Sequence, residues 1–383
     1  MDSSAFSNPA GNLASTIQAQ KAFIPSRLPP KLDLSSMQQN LSTADQKLGE
    51  LRGVGRYLSN PYLLIRPLQR KEAIASSNIE GTYTSLPELL LLESGAEDRK
   101  KNTDTQEVLN YVRALQDGIE LLSEIPISNR LIMEIHKKLL YRLPKTRTGY
   151  YEPGEYRKQQ NFIGSSKDVS KSRFNPPPPP VHIDCMRDLE IFINLDDMAG
   201  LPPLVFIALI HYQFETIHPF PDGNGRVGRI LIPLILRSRN VMDQPLLYMS
   251  QYFEDNRDEY IKLMFEVSSK CRWAEWISFF LNGVGESCEK TIVTIHKVRE
   301  LRELYKGKCH LARSSALLLA IIDEIFDKLY VTVPAIQNLT ETSYTAARNN
   351  IAKLVEHGIL KEFVHSGRMK FYVATELMSL FES

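Results

Sequence analysis

Twelve consecutive residues, His218-Pro219-Phe220-Pro221-Asp222-Gly223-Asn224-Gly225-Arg226-Val227-Gly228-Arg229, bring together an imidazole, a carboxylate, a small-residue loop and two guanidiniums, and the residues on either side fix how they can fold. Before them, Pro202-Pro203 opens a run in which Leu204, Ile207, Ala208, Leu209, Phe214 and Ile217 fall mostly at helical spacing, the pattern of a buried helix ending at His218. After them, Arg226 to Arg237 is again periodic, with Val227, Ile230, Leu231, Leu234 and Ile235 apolar and Pro233 expected to kink it. The chain is thus constrained to helix, tight loop, helix, with Gly223-Asn224-Gly225 at the N-terminus of the second helix.

Such a place attracts phosphate. Its amide N–H groups are free, the helix dipole is positive there, and glycine lets the backbone approach closely. Arg226 and Arg229, three apart, can both reach one polyphosphate. Asp222 suits a Mg2+ ion, which prefers one or two carboxylates together with substrate oxygens. His218, with an ordinary pKa near ~6.5, suits removal of a proton from an attacking hydroxyl. Gly223-x-Gly225-x-x-Gly228 also spells a dinucleotide-binding fingerprint, with Asp243 following, but that fingerprint requires a preceding strand and here a helix precedes it.

The twelve residues fill every fixed position of H-x-F-x-D-G-N-G-R-x-x-R, and on that motif the chain resembles the Fic-domain proteins, over about residues 51–284. The resemblance implies a mainly α fold, a helical core with a small β-hairpin flap. It implies an enzyme that transfers AMP from ATP to a Tyr, Thr or Ser hydroxyl of a protein, itself included, releasing pyrophosphate. It makes His218 the general base and Asp222 the Mg2+ ligand, gives Gly223, Asn224, Gly225, Arg226 and Arg229 the ATP phosphates, and makes Phe220 the loop's buried anchor. Downstream, Asn256 to Tyr260 begins a helical stretch where family members contact adenine or ribose, and Tyr260 is expected in that role.

A second motif lies upstream. Between Tyr62 and Glu80, residues Leu63, Leu64, Leu68, Ala73, Ile74 and Ile79 mark a helix, Gly81 sits where a C-terminal cap belongs, and Ser76 and Glu80 share a face. Ser76 to Gly81 resembles the inhibitory motif S-x-x-x-E-G or N of one class of Fic proteins. That resemblance implies that Glu80 pairs with Arg229 in the place of the ATP γ-phosphate and that Ser76 hydrogen-bonds near Asn224. A carboxylate satisfies an arginine fork as a phosphate oxygen does, so such competition is physically sound. The same residues suit the reverse reaction, with Glu80 positioning a water and His218 protonating the leaving hydroxyl, so a bifunctional or deAMPylating enzyme is the alternative.

A third segment runs from Glu152-Pro153-Gly154-Glu155-Tyr156-Arg157 through Phe162-Ile163-Gly164 to Phe174-Asn175 and five prolines, Pro176 to Pro180. It resembles the Fic flap, whose edge can register an extended target segment through main-chain hydrogen bonds. Ile163 and Gly164 are placed at its tip, against the nucleotide.

The 383 residues, 43% of them hydrophobic, suggest two or three domains. Residues 1–110 form an N-terminal helical region carrying the inhibitory helix at about 62–81, with a loosely ordered start. Residues 111–289 form the catalytic core, 290–313 a helical connector and 314–383 a small α+β unit. In that unit helices are expected over 315–326, 333–339 and 344–357, then strands at 359–362 and 370–373 around Ser366-Gly367-Arg368. This order resembles a winged helix, whose third helix can enter a major groove. From Lys297 onward there are twelve Lys plus Arg against ten Asp plus Glu, and the third helix carries only Arg348 and Lys353. That balance argues against DNA and for a protein partner or a homodimer. A reading from another class is a winged-helix regulator whose Fic core senses ATP.

The longest apolar runs, 230–236 and 316–322, fall well short of the ~20 residues that span a bilayer. No secretory pattern opens the sequence, so a cytoplasmic protein off the membrane is expected. Cys185, Cys271, Cys288 and Cys309 lack any paired spacing, which predicts neither disulfides nor zinc.

Overall fold

The computed structural model describes residues 1–16, 20–56, 62–95, 103–144, 151–164, 172–311, 316–363 and 370–382. A hairpin, β1 (Gly11–Ser15) and β2 (Lys21–Pro25), precedes α1 (Gln38–Arg56), α2 (Tyr62–Ile79), α3 (Leu86–Glu93), α4 (Thr103–Leu121) and α5 (Asn129–Leu139). Then come α6 (Val181–Ile193), α7 (Pro203–Ile217), α8 (Asn224–Ser238), α9 (Ser250–Asp255), α10 (Arg257–Lys270) and α11 (Trp273–Leu311).

The centre is α7, apolar and buried on nearly every side, as a helix surrounded by other helices must be. Helices α6, α8 and α11 pack around it, and Trp276 of α11 donates its indole N–H to the Ala208 carbonyl at 3.0 Å. Helix α8 begins at Asn224, two residues before its expected start at Arg226, and runs unbroken through Pro233. α2 lies against α4, α9 and the C-terminal unit, where buried Glu72 accepts from Tyr111 at 3.0 Å and from the Ser250 amide at 3.0 Å.

Three expectations need correction. The N-terminal segment is not loose, because β1 and β2 pair in antiparallel register, Leu13 opposite Phe23, and Phe23 donates its amide to the Asn175 carbonyl at 2.9 Å. The connector is no separate element but the continuation of α11, 39 residues long, against which α1 packs; Arg313, its expected end, lies outside the described residues. The last unit holds more than was expected: α12 (Ala316–Lys328), β3 (Tyr330–Val331), α13 (Val333–Thr340), α14 (Tyr344–Glu356), β4 (Lys361–Phe363), β5 (Phe371–Val373) and α15 (Thr375–Glu382). The two-residue β3 completes an antiparallel sheet of order β3-β5-β4, too short to show as alternation. Ser366-Gly367-Arg368 lies outside the described residues.

This unit grips the outer face of α2. Arg66 pairs with Asp327, and buried Arg70 donates to the Asp327 carbonyl at 3.1 Å while holding Glu93 through two nitrogens at 2.9 and 3.2 Å. Among the described residues no helix is long and apolar enough to cross a membrane.

Candidate active site

His218 caps α7 in the left-handed region, φ 51° and ψ 59°, which lifts its ring out of the helix. That strained backbone is held from below. Buried Arg157 donates Nε to the His218 carbonyl at 2.9 Å, another nitrogen to the Gln159 carbonyl at 3.1 Å and a third to the Pro177 carbonyl, while its amide binds the Pro219 carbonyl at 2.9 Å. His218 Nδ1 lies 3.2 Å from the Glu215 carbonyl. A carbonyl only accepts, so Nδ1 carries the proton and Nε2 keeps its lone pair. Burial pushes the imidazole down to about 4, so the ring is neutral at pH 7.

The loop beyond is pinned by side chains. Phe220 is fully buried, stacked on His136 with centroids 3.8 Å apart. His136 donates Nε2–H to the Asp222 carbonyl at 3.1 Å and accepts the Gly154 amide on Nδ1 at 2.9 Å, tying the loop to the segment after residue 151. The Asn224 carboxamide closes the turn, accepting the Phe220 amide and donating to the Phe220 carbonyl, both at 2.8 Å. Gly223, at φ 77°, turns the chain into α8.

Two buried guanidiniums follow. Arg226 donates to Glu107 at 2.6 Å, the side chains 1% and 0% exposed, and its other face lies 3.6 Å from half-exposed Asp222. Arg229 donates Nε to Ser76 Oγ at 2.7 Å and one terminal nitrogen to both the Ser76 carbonyl at 2.9 Å and Glu80 Oε1 at 2.6 Å. Burial acts to raise the Glu80 carboxyl, but the Arg229 charge overcomes it and holds the group below the usual range. Gly225 and Gly228 explain the close fit: a Cβ on the first would overlap Glu80 Oε1, and on the second Glu215 Oε1.

Glu80, Arg229, His218 and Glu215 line a cavity of about 250 Å3, walled on its apolar side by Ile163, Phe174, Ile261, Met264 and Phe265. Arg257, also on this cavity, donates to the Ile79 carbonyl at 3.2 Å and so holds the end of α2. Burial pushes the Glu215 carboxyl up to about 8, and among the described residues its Oε1 has no hydrogen-bond partner.

Residues 38–120 match the Fic/DOC family N-terminal region, and residues 126–236 match the Fic/DOC family. The chain belongs to the Fic/DOC family. It is 31% identical over 208 residues to a probable protein adenylyltransferase of Aquifex aeolicus, covering 52% of this chain and 55% of that one. It is 30% identical over 167 residues to the protein adenylyltransferase Fic of Drosophila melanogaster, covering 42% of this chain and 31% of that one. The chain thus spans about half the length of the first relative and under a third of the second. In fold it is similar to a Fic family protein from Desulfovibrio desulfuricans, with a TM-score of 0.59 at 20% identity over 90% of this chain and 98% of that one. It is also similar to a Fic domain containing signaling protein from Bacteroides thetaiotaomicron, TM-score 0.52 at 20% identity, over 67% and 95%.

Within this Fic core, His218, Arg226, Arg229, Asp222, Gly223 and Gly225 gather around the start of α8, and Ser76 and Glu80 reach it from α2, which Gly81 ends at φ 81°. Three details differ from the expectation. Ser76 bonds Arg229 and not the neighbourhood of Asn224, whose carboxamide is spent on Phe220 and leaves only its backbone for a phosphate. Tyr260 is buried, its ring stacked on Phe253 at 4.5 Å and its hydroxyl donated to His211 Nε2 at 2.8 Å, so it lines the cavity without a free polar group. Ile163 pairs with Phe174 through bonds of 2.8 and 3.0 Å, which puts Ile163 and Gly164 at the base of the flap; the tip lies outside the described residues.

Sequence reading missed Arg157, His136, Glu107, Glu215 and the apolar wall on α10. A lone His or Glu in an amphipathic helix gives no sign of the loop it will brace. Asp222 offers a half-exposed carboxylate beside the anion-binding turn, the kind of oxygen donor that a Mg2+ ion keeping most of its water can use; among the described residues there is no group of three His, Cys, Asp or Glu that could hold a metal ion.

Proposed function

We propose that this chain is a protein adenylyltransferase, moving AMP from ATP to a Tyr, Thr or Ser hydroxyl of a protein, and that Glu80 holds it in check. The observation that carries the reading is one cavity lined by a neutral His218, by Arg229 and by the carboxylate paired with that arginine.

In this mechanism Arg226, Arg229 and the amides at the start of α8 bind the ATP phosphates. His218 Nε2 takes the proton from the target hydroxyl, whose oxygen attacks the α-phosphorus in line. The bond from that phosphorus to the bridging oxygen breaks, and its electron pair leaves with pyrophosphate. Asp222 would hold Mg2+, which when bound supplies charge neutralisation to the phosphates. Glu107 keeps Arg226 in place, and Arg157 fixes the height of His218. Glu80 occupies the arginine fork that a γ-phosphate needs, so ATP binds fully only when α2 yields.

Glu80 and His218 share the cavity, which suits the reverse reaction too. A water held by the Glu80 carboxylate would give its proton to that carboxylate and attack the phosphorus of the AMP-modified protein, while His218, in the protonated form left by the forward step, gives its Nε2 proton to the leaving hydroxyl oxygen.

The same reading divides the chain into an N-terminal region to residue 110 carrying α2, a Fic core whose last helix, α11, runs on to the C-terminal part, and a winged-helix-like unit from about residue 314 that binds protein and not DNA. The test is label transfer from ATP: Glu80→Gly should raise it and His218→Ala abolish it, whereas equal labelling of wild type and Glu80→Gly rejects the inhibitory role.

A further inference from the structure

We infer that the N-terminal segment, through Phe6 and through Phe23 of the β1–β2 hairpin, is a positioning element of the nucleotide site, fixing the apolar wall on which a planar nucleobase lies. The inference rests on the reading of the cavity given above.

The wall has two halves from distant parts of the chain. Ile163 and Phe174 come from the base of the flap, and Ile261, Met264 and Phe265 from α10. Within the described residues the flap strands touch through the single bridge between Ile163 and Phe174, too little to hold a wall in place alone.

The hairpin and the residues just before it join the halves from behind. Phe23 is fully buried with its centroid 5.8 Å from that of Phe174, and Phe6 lies 5.7 Å from both Phe23 and Phe265, edge-on to the latter. Backbone bonds run in parallel with these rings. Phe23 donates to the Asn175 carbonyl and Asn175 Nδ2 to the Lys21 carbonyl at 2.7 Å, while the amides of Asn8 and Ala10 bind the carbonyls of Ser269 and Ser268 at 3.1 and 3.2 Å. These aromatic groups form a cluster separate from the main core.

A planar base gains most from a flat surface already in place, because ordering that surface on binding subtracts from affinity. Removing the backing ring therefore weakens nucleotide binding and leaves the chemistry at His218, across the cavity, unchanged.

The experiment uses the full chain carrying Glu80→Gly, with Phe23→Ala and Phe23→Leu added separately, and measures AMP incorporation, thermal unfolding and ATP binding by calorimetry. Phe23→Ala should raise the KM for ATP about tenfold with kcat within about twofold, weaken ATP binding by the same factor, and keep the main unfolding transition; Phe23→Leu should recover most of the affinity. Unchanged KM, or a lower kcat at unchanged KM, overturns the inference. If no AMP is incorporated but Phe23→Ala still weakens ATP binding tenfold, the transfer reading fails and the wall stands. Absence of ATP binding overturns both.

Discussion

Glu80 Oε1 stands 2.6 Å from the same Arg229 nitrogen that donates to the Ser76 carbonyl, so Ser76 of α2 and Glu80, four residues on and just past the helix end, close on a single guanidinium. Arg229 is buried, and an uncompensated charge there would be costly, so α2 supplies the partner that the resting site needs. A γ-phosphate is an equivalent partner, which makes inhibition an exchange of anions.

The exchange has a definite pH dependence. Glu80 is held below the ordinary carboxylate range, so its hold on Arg229 is present above that range and is lost only as pH falls through the lowered value. Wild type should remain slow from pH 8 to 5, and acid activation in that window would contradict the pairing. In Glu80→Gly, the rate should hold across the same window and fall only toward pH 4, because His218 titrates at about 4; half-loss near pH 6.5 would mean an unperturbed base.

Glu107→Gln strips the buried Arg226 charge of its buried carboxylate and leaves it only half-exposed Asp222 at 3.6 Å. Breaking a buried pair from one side costs about 3–5 kcal/mol, so chemical denaturation should show a loss of that order together with weaker ATP binding. A change under 1 kcal/mol would show that Arg226 is not anchored as described.

Glu215 gives a stability signature of opposite sign to Glu80. Its folded pKa, raised to about 8, leaves it protonated in the native state while the unfolded chain ionises near its ordinary value. Its contribution is full below that ordinary value and is lost as pH rises through about 8, with a slope approaching about 1.4 kcal/mol per pH unit. Glu215→Gln should flatten this dependence between pH 5 and 8, and identical slopes in both proteins would contradict the buried carboxyl.

Arg157→Lys tests the support beneath His218. An ammonium cannot reach three carbonyls in fork geometry, so kcat of the Glu80→Gly enzyme should fall roughly 100-fold while the KM for ATP changes little. Substitution without effect on kcat would remove Arg157 from the account.

Much of the fold around the loop was legible, because continuous apolar helices such as α7 state their burial in every residue, and because Gly223 and Gly81 mark turns that need positive φ. The capping box of α3, Ser85 with Glu88, is a local signal of the same kind that the sequence reading left unused. What escaped notice depends on distant contacts. Phe23 reads as a stray aromatic until Phe174 and Phe265 are beside it, and Glu107 as a surface charge until Arg226 reaches it. The partner of Ser76 was misread for a similar reason: helical spacing puts Ser76 and Glu80 on one face but not which side chain of α8 that face meets.

The most direct test is intact mass spectrometry after incubation with Mg-ATP, comparing wild type, Glu80→Gly and His218→Ala for a covalent AMP adduct. The account predicts little adduct on wild type, abundant adduct on Glu80→Gly and none once His218→Ala is added. An adduct on His218→Ala equal to that on Glu80→Gly, or none on either protein with a target lysate supplied, would contradict it.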